Sequence, residues 1–301
     1  MKAVKLTPKR VAQAIGVSES SMKRWCDRGL IDFQKTAGGH RRISRASLVD
    51  FLRRSDYSLL KSELLGLPGD IRPGKRDIEP SLQEYIAALT AGDEQAAGKI
   101  LYELFLDGMT VAELSDQLIS PAFHQIGFRW QQGSMEIYQE RRACEITMRV
   151  LNELRTLIPE PAIDAPLGIG GAPEKDPYML PTTLVELVLR ELGWRSQSLG
   201  SLLPLSTLAQ AARDQQPRLF WLSVSYVEDL QTFLPRFAEF RNALNGATLL
   251  SLGGRALTED VRRQMQFTSY SDNLQQFQSL ASSMYTHRVT PTQSSAGISG
   301  T

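Results

Sequence analysis

Fifteen residues at 66–80, GLPGDIRPGKRDIEP, hold three prolines and three glycines. Proline lacks the backbone donor and clashes with the preceding helical turn, while glycine has no side chain to pack, so neither a helix interior nor a central strand is sustained there. A linker is the expectation. It divides the 301 residues into a short head and a longer body of opposite charge. Residues 1–56 carry 13 Lys and Arg against 5 Asp and Glu, so the net charge of +1 conceals a head of +8 and a remainder of −7. A basic head on a mildly acidic body is the footprint of a nucleic-acid-binding module joined to something else.

Several function classes drop out at once. The chain has no apolar run of about 18 residues, so no membrane partner is expected. Its beginning, MKAVKLTPKR, lacks the apolar core of a signal peptide. Two cysteines, Cys26 and Cys144, make neither a disulfide framework nor a thiolate metal cluster, so no metal is expected and the location expected is cytoplasmic. The sequence has no Ser/His/Asp set, no His-rich cluster and no phosphate loop, and GIGGAP lacks the GxGxxG spacing. The chain does not read as an enzyme.

The head is closely punctuated. Thr7 is placed to cap a helix that Pro8 begins, with Val11, Ala14 and Ile15 on one face. Gly16 breaks it, Ser18 caps a second helix through Cys26, and Gly29 stops that one. A helix-turn-helix follows, with Met22, Trp25 and Cys26 inward and Ser20, Ser21, Lys23 and Arg24 free for a major groove. Leu30 to Phe33 alternate like a strand, Gly38 and Gly39 give a tight turn, and His40 to Ile43 return. Lys35, His40, Arg41 and Arg42 on this hairpin would face phosphates or a minor groove. Ser44 caps a helix through Leu48, Phe51 and Leu52. The run LTPKRVAQAIGVSESSMKRWCDRGLI to GGHRRIS resembles the winged-helix DNA-binding domain of the MerR and excisionase families, which implies double-stranded DNA as partner.

The body changes period at residue 167. Before it, four helical stretches at 81–91, 94–107, 110–131 and 135–157 with short connections predict an antiparallel four-helix bundle. After it, strands at 167–171, 194–199, 219–224 and 248–252 alternate with helices at 180–193, 206–216, 227–245, 258–265 and 272–285. This predicts a Rossmann-like parallel sheet with helices on both faces. Ligands of such sheets bind beyond the strands' carboxyl ends, here residues 172–181, 223–225 and 253–256. Residues 288–301 are rich in Ser, Thr and Gly and read as a disordered tail. The expected units are a head at 1–65, the linker at 66–80, a bundle at 81–160 and the sheet domain at 161–287.

The bundle segments LISPAFHQIGFRWQQG and EIYQERRACEITMRVL resemble the helical cap of cobalamin-binding modules, as found in the light-sensing MerR-type regulators of carotenoid genes. That family places a Trp a fixed interval before a Glu-His pair. Trp130 and Glu140 match, and the next residue is Arg141. His124 lies off the pattern and reads as a surface or satisfied histidine. The sheet domain is similar to the cobalamin-binding Rossmann-like domain, with Ser223, Ser225, Gly253 and Gly254 matching the walls of its tail pocket. The family's Asp-x-His-x-x-Gly, whose His ligates cobalt, falls on Asp176-Pro177-Tyr178-Met179-Leu180-Pro181. Tyr178 replaces the His and Pro181 the Gly. The resemblance thus implies a DNA-binding regulator whose cobalamin-type sensor has lost both histidines of the cobalt chemistry. Such a module would mediate oligomerisation or sense another ligand, a different tetrapyrrole or chromophore. Two alternatives stand beside this one: a regulator that still binds cobalamin without His ligation, and a ligand-free interaction scaffold. Homo-oligomers are expected through the C-terminal module, since the long dimerising helix usual after such heads is absent.

Overall fold

The computed structural model describes residues 5–55, 57–67, 71, 74 and 76–286. The expected tail at 288–301 and residues 68–70, 72, 73 and 75 of the linker lie outside the described residues.

In the head, β1 (Lys5–Leu6), α1 (Pro8–Ile15), α2 (Glu19–Asp27), β2 (Gln34–Lys35), β3 (Arg41–Ser44) and α3 (Arg45–Arg53) follow in order. Each helix starts where a hydroxyl satisfies a free backbone donor. Thr7 accepts from the Arg10 N–H at 3.2 Å, Ser18 from Ser21 at 3.1 Å and Ser44 from Ser47 at 2.9 Å. Gly16 ends α1 at φ 73°, a conformation that costs an L side chain strain. Val11, Ala14, Ile15, Met22 and Cys26 are buried, and Trp25 packs at 5.2 Å on Phe51 and 4.7 Å on Tyr57.

The hairpin departs from expectation. Leu30 to Phe33 form no strand: the Leu30 N–H closes the end of α2 onto the Trp25 carbonyl, and Ile31 turns into the core. Pairing begins only at Gln34↔Arg42 and Lys35↔Arg41, and β3 is completed on its other side by β1.

The bundle comprises α4 (Ile78–Ala91), α5 (Glu94–Leu106), α6 (Val111–Leu114), α7 (Ser120–Gln131) and α8 (Ile137–Arg155). Between α6 and α7 the helix widens to a π turn at Ser115–Ile119. The sheet domain runs β4 (Leu167–Gly171), α9 (Leu180–Glu191), β5 (Arg195–Ser198), α10 (Leu205–Gln215), β6 (Leu219–Ser223), α11 (Leu230–Ala243), β7 (Leu249–Gly253), α12 (Glu259–Arg262), β8 (Ser269–Tyr270) and α13 (Leu274–Thr286). Its five parallel strands lie in the order β5-β4-β6-β7-β8, so the order in which strands are added reverses between β4 and β6. On one face Phe220, Phe237, Phe240, Leu208 and Leu250 form a core under α10 and α11. On the other, Leu187, Val188, Trp194, Trp221 and Phe277 join a core that continues through the bundle into the head. No helix among the described residues is long and apolar enough to cross a membrane.

The head is not loosely tethered. Arg45 pairs with Glu153 at 2.8 Å and donates to the Thr156 hydroxyl at 2.9 Å. Arg53 pairs with Glu191 at 2.7 Å, donates to the Met109 carbonyl at 3.0 Å, and lies 4.0 Å above the Phe105 ring. The second oxygen of Glu191 accepts the Val111 N–H at 2.8 Å, so one carboxylate ties head, bundle and sheet domain together. Downstream, Arg76 pairs with the buried Glu103 at 2.5 Å and fixes the end of the linker to α5.

Arg53→Ala strands Glu191 in a site that water reaches only in part. We expect a loss of about 2 kcal/mol in urea unfolding, below the full cost of breaking a buried pair. Proteolysis between head and body is expected to speed up, and unchanged unfolding and proteolysis would contradict this account of the docking.

Candidate functional site

The reversal of strand order between β4 and β6 leaves their exit loops side by side, and these loops build one wall of a cavity of about 610 Å³ between sheet and bundle. Such a crevice is where open parallel sheets hold ligands. Asp176 is fully buried and knits the loops together. One oxygen accepts the Tyr178 N–H at 3.0 Å, and the other accepts Ser225 at 2.5 Å and Tyr226 at 3.2 Å. Burial pushes the Asp176 carboxyl above the usual range, while those three donors and nearby Arg255 pull it back in part.

Tyr178 is clamped above this carboxylate. Arg255 donates to its hydroxyl at 3.0 Å and to the Ser225 carbonyl at 3.3 Å, with its guanidinium 4.9 Å from the Tyr178 ring centre. Gly254 allows the arginine loop to approach, because a Cβ there would overlap the Val224 backbone. Pro181 stands in the first turn of α9, where its missing N–H costs no hydrogen bond.

The bundle supplies the facing wall. Trp130 is half exposed, and Glu140 and Arg141 form an ion pair at 3.5 Å. Cys144 donates to Glu140 at 3.5 Å, and burial with that carboxylate pushes its thiol up to about 12. At such a value the thiol stays protonated and unreactive at neutrality. All eight candidate ligand residues, Trp130, Glu140, Arg141, Tyr178, Ser223, Ser225, Gly253 and Gly254, line this one cavity. His124 is exposed but also lines it, entering from α7. It shares a helical face with Phe123, Gly127 and Trp130, a spacing the sequence already carried. Asp116, in the π turn, accepts the Leu274 and Gln275 N–H groups at 3.1 and 2.9 Å, and so closes one side of the cavity onto α13. Among the described residues no cluster of metal-binding side chains occurs.

In the head, Ser20, Lys23, Arg24, Lys35 and His40 are exposed. Lys23 carries a solvent-exposed pair with Glu19 at 2.7 Å. The hydroxyls of Ser20 and Ser21 lie 2.8 and 3.0 Å from Ser18, inside the cap of α2. Arg41 pairs with Asp27 at 2.5 Å and covers Phe33 at 5.5 Å, which braces the hairpin against α2. Arg42 is half-buried and donates to the Arg41 carbonyl at 3.3 Å.

Residues 6–56 match the helix-turn-helix domain family, and residues 81–155 match the B12 binding domain family. The chain joins a helix-turn-helix domain to a B12-binding-type domain. It is 24% identical over 270 residues to the HTH-type transcriptional repressor CarH of Myxococcus xanthus, covering 81% of this chain and 87% of that protein. The monomethylamine corrinoid protein of Methanosarcina barkeri shares its fold, with a TM-score of 0.59 at 12% identity over 69% of this chain and all of that one. The helix-turn-helix domain and the sheet-and-bundle body therefore both have counterparts, with a transcriptional repressor matching across the two.

Asp176→Ala leaves three inward-facing donors without an acceptor, and a loss of about 3 kcal/mol in urea unfolding is expected. Folding raises the pKa of Asp176, so the stability linked to its protonation is fully present only below the unfolded value and is lost as pH rises through the folded one. The advantage of the wild type over the alanine variant is thus expected to grow as pH falls from 7 toward about 4. An advantage that shrinks over that range would contradict the sign.

Proposed function

We propose that this protein is a DNA-binding transcription regulator whose B12-type cavity has been rebuilt, so that it does not hold a histidine-ligated cobalamin. The observation that carries the reading is the Tyr178–Arg255 clamp at the position where the resembled family has its cobalt-binding imidazole. A phenol held by a guanidinium is a poor donor for cobalt, and Arg141 replaces the cap's second histidine. When bound in a matching site, cobalamin would supply a light-labile cobalt–carbon bond. Here the donors that tune such a bond are replaced, and the residues do not fit that group. The cavity instead serves a different ligand, with Trp130 as an aromatic platform and Ser223, Ser225, Gly253 and Gly254 as a polar edge.

On the DNA side, the head's positive charge supports phosphate binding and the exposed α2 supports major-groove reading. Lys23 and Arg24 are assigned to bases or phosphates, Lys35, His40 and Arg42 to phosphates. Arg41 is braced by Asp27, and the Ser20 and Ser21 hydroxyls lie beside Ser18, so these three are assigned secondary contacts. Because α3 runs into a single turn at Ser62–Leu65 rather than a long helix, assembly of copies is assigned to the body.

A second reading, cobalamin bound without histidine, draws support from the size of the cavity and from Trp130, Ser223 and Gly253 on its walls. Titration with adenosylcobalamin in the dark followed by gel filtration separates the two. The rebuilt site predicts no stoichiometric co-elution and no light-dependent release of DNA. Near one cobalamin per chain, with a DNA complex that dissociates on illumination, would overturn it.

For the head, an operator selected from random duplexes is expected to bind with affinity that falls steeply with salt. Lys23→Ala and Arg24→Ala are each expected to weaken it by about 1–3 kcal/mol where the contact is a bidentate base pairing. Wild-type affinity in both variants at moderate salt would place the reading surface elsewhere.

A further inference from the structure

We propose that the cavity takes a corrin- or porphyrin-type ring whose sheet-side face is bare, and that Trp221 excludes rings bearing a nucleotide on that face. This rests on the reading of the cavity as a ligand site. Trp221 lies on β6 opposite Gly170 of β4, in parallel register. Gly168 and Gly170 share one face of β4, and the indole lies over Gly170 and reaches the edge of Gly168. A Cβ on Gly170 would overlap the Trp221 ring, while one on Gly168 would meet Leu189 at 2.9 Å and the indole at 3.7 Å. The glycines thus make a trough in the sheet, and the indole fills it beneath α9.

The indole is fixed as well as buried. Its N–H donates to the Thr182 hydroxyl at 2.8 Å, and that hydroxyl lies 3.2 Å from Ser198. Thr182 is fully buried and Trp221 is 2% exposed, yet Trp221 borders the cavity. It therefore closes the inner end of the space between sheet and α9, next to Leu184 and Val185. Together with the clamped Tyr178 it lines the sheet-side floor of the cavity.

A flat ring can rest on such a floor with its substituents along the serine edge. An appendage hung from the floor-side face must displace the indole, break its hydrogen bond to Thr182 and overpack a filled trough. Cobalamin carries a benzimidazole nucleotide beneath its ring, and cobinamide is the same corrin without it. Haem is the flat porphyrin counterpart, and His124 on the bundle side is the imidazole that could meet its iron.

The test is equilibrium binding of diaquacobinamide, whose axial waters are labile, ferric haem and hydroxocobalamin to the full-length protein, read by absorbance and by co-elution. Cobinamide, the corrin without the tail, is expected to bind about ten-fold or more tightly than hydroxocobalamin, the order of discrimination a packed pocket achieves. The tighter of cobinamide and haem identifies the ring. Trp221→Ala is expected to narrow the gap to near parity by admitting hydroxocobalamin, while Trp221→Phe, which keeps most of the filling, preserves it. The wild-type ratio decides the matter even if the alanine variant fails to fold. Equal binding of hydroxocobalamin and cobinamide by the wild type, or a folded Trp221→Ala with an unchanged ratio, would overturn the role of Trp221. Retention of none of the three rings would overturn the reading of the cavity as a ring site, a result distinguishable from failure of the exclusion.

Discussion

The carboxylate of Asp176 organises the loops of the cavity wall. Parallel strands deliver their exit loops to the same edge, but topology alone leaves those loops free to diverge. A buried acceptor facing three backbone donors removes that freedom, since moving either loop would strand an N–H in a site closed to water. Tyr178 follows from its own bonded N–H, and Arg255 follows through Tyr178 and the Ser225 carbonyl. The floor is consequently a preorganised surface rather than a set of mobile side chains.

The same wall is mechanically continuous with the DNA-binding head. Helix α9 begins at the cavity, where Leu180, Pro181, Leu184 and Val185 line it, and ends at Glu191, which holds Arg53 of the head and the first N–H of α6. Arg45 fixes the opposite end of α3 to α8, the helix that carries Glu140 and Arg141. The head therefore rests on the two elements that form the cavity's facing walls.

Much of this was legible in the sequence where the determinants are local. Thr7, Ser18 and Ser44 cap the head's helices through N–H groups three residues on, and Gly16 ends α1 by its own left-handed φ. The cavity wall was legible from strand–helix alternation, which places 172–181, 223–225 and 253–256 at one edge. Tertiary effects hid the rest. Leu30 to Phe33 alternate like a strand, but Ile31 is needed in the core and pairing starts later. Arg41 looks like a free cation until Asp27 and Phe33 are brought beside it. The glycines of LGIGG weaken β4 as a strand in isolation, and the need for them appears only in the fold, where Trp221 covers Gly170, Leu189 reaches Gly168 and the Gly200 carbonyl approaches Gly171. The two-residue strands β1 and β8 carry too little pattern to be read at all.

The central claim is that this fold keeps a B12-type cavity while changing what it holds. Protein purified from its native host, with its visible spectrum recorded and any released small molecule identified by mass, addresses that directly. The account predicts a tail-less ring and no cobalamin; cobalamin recovered at near one per chain would contradict it.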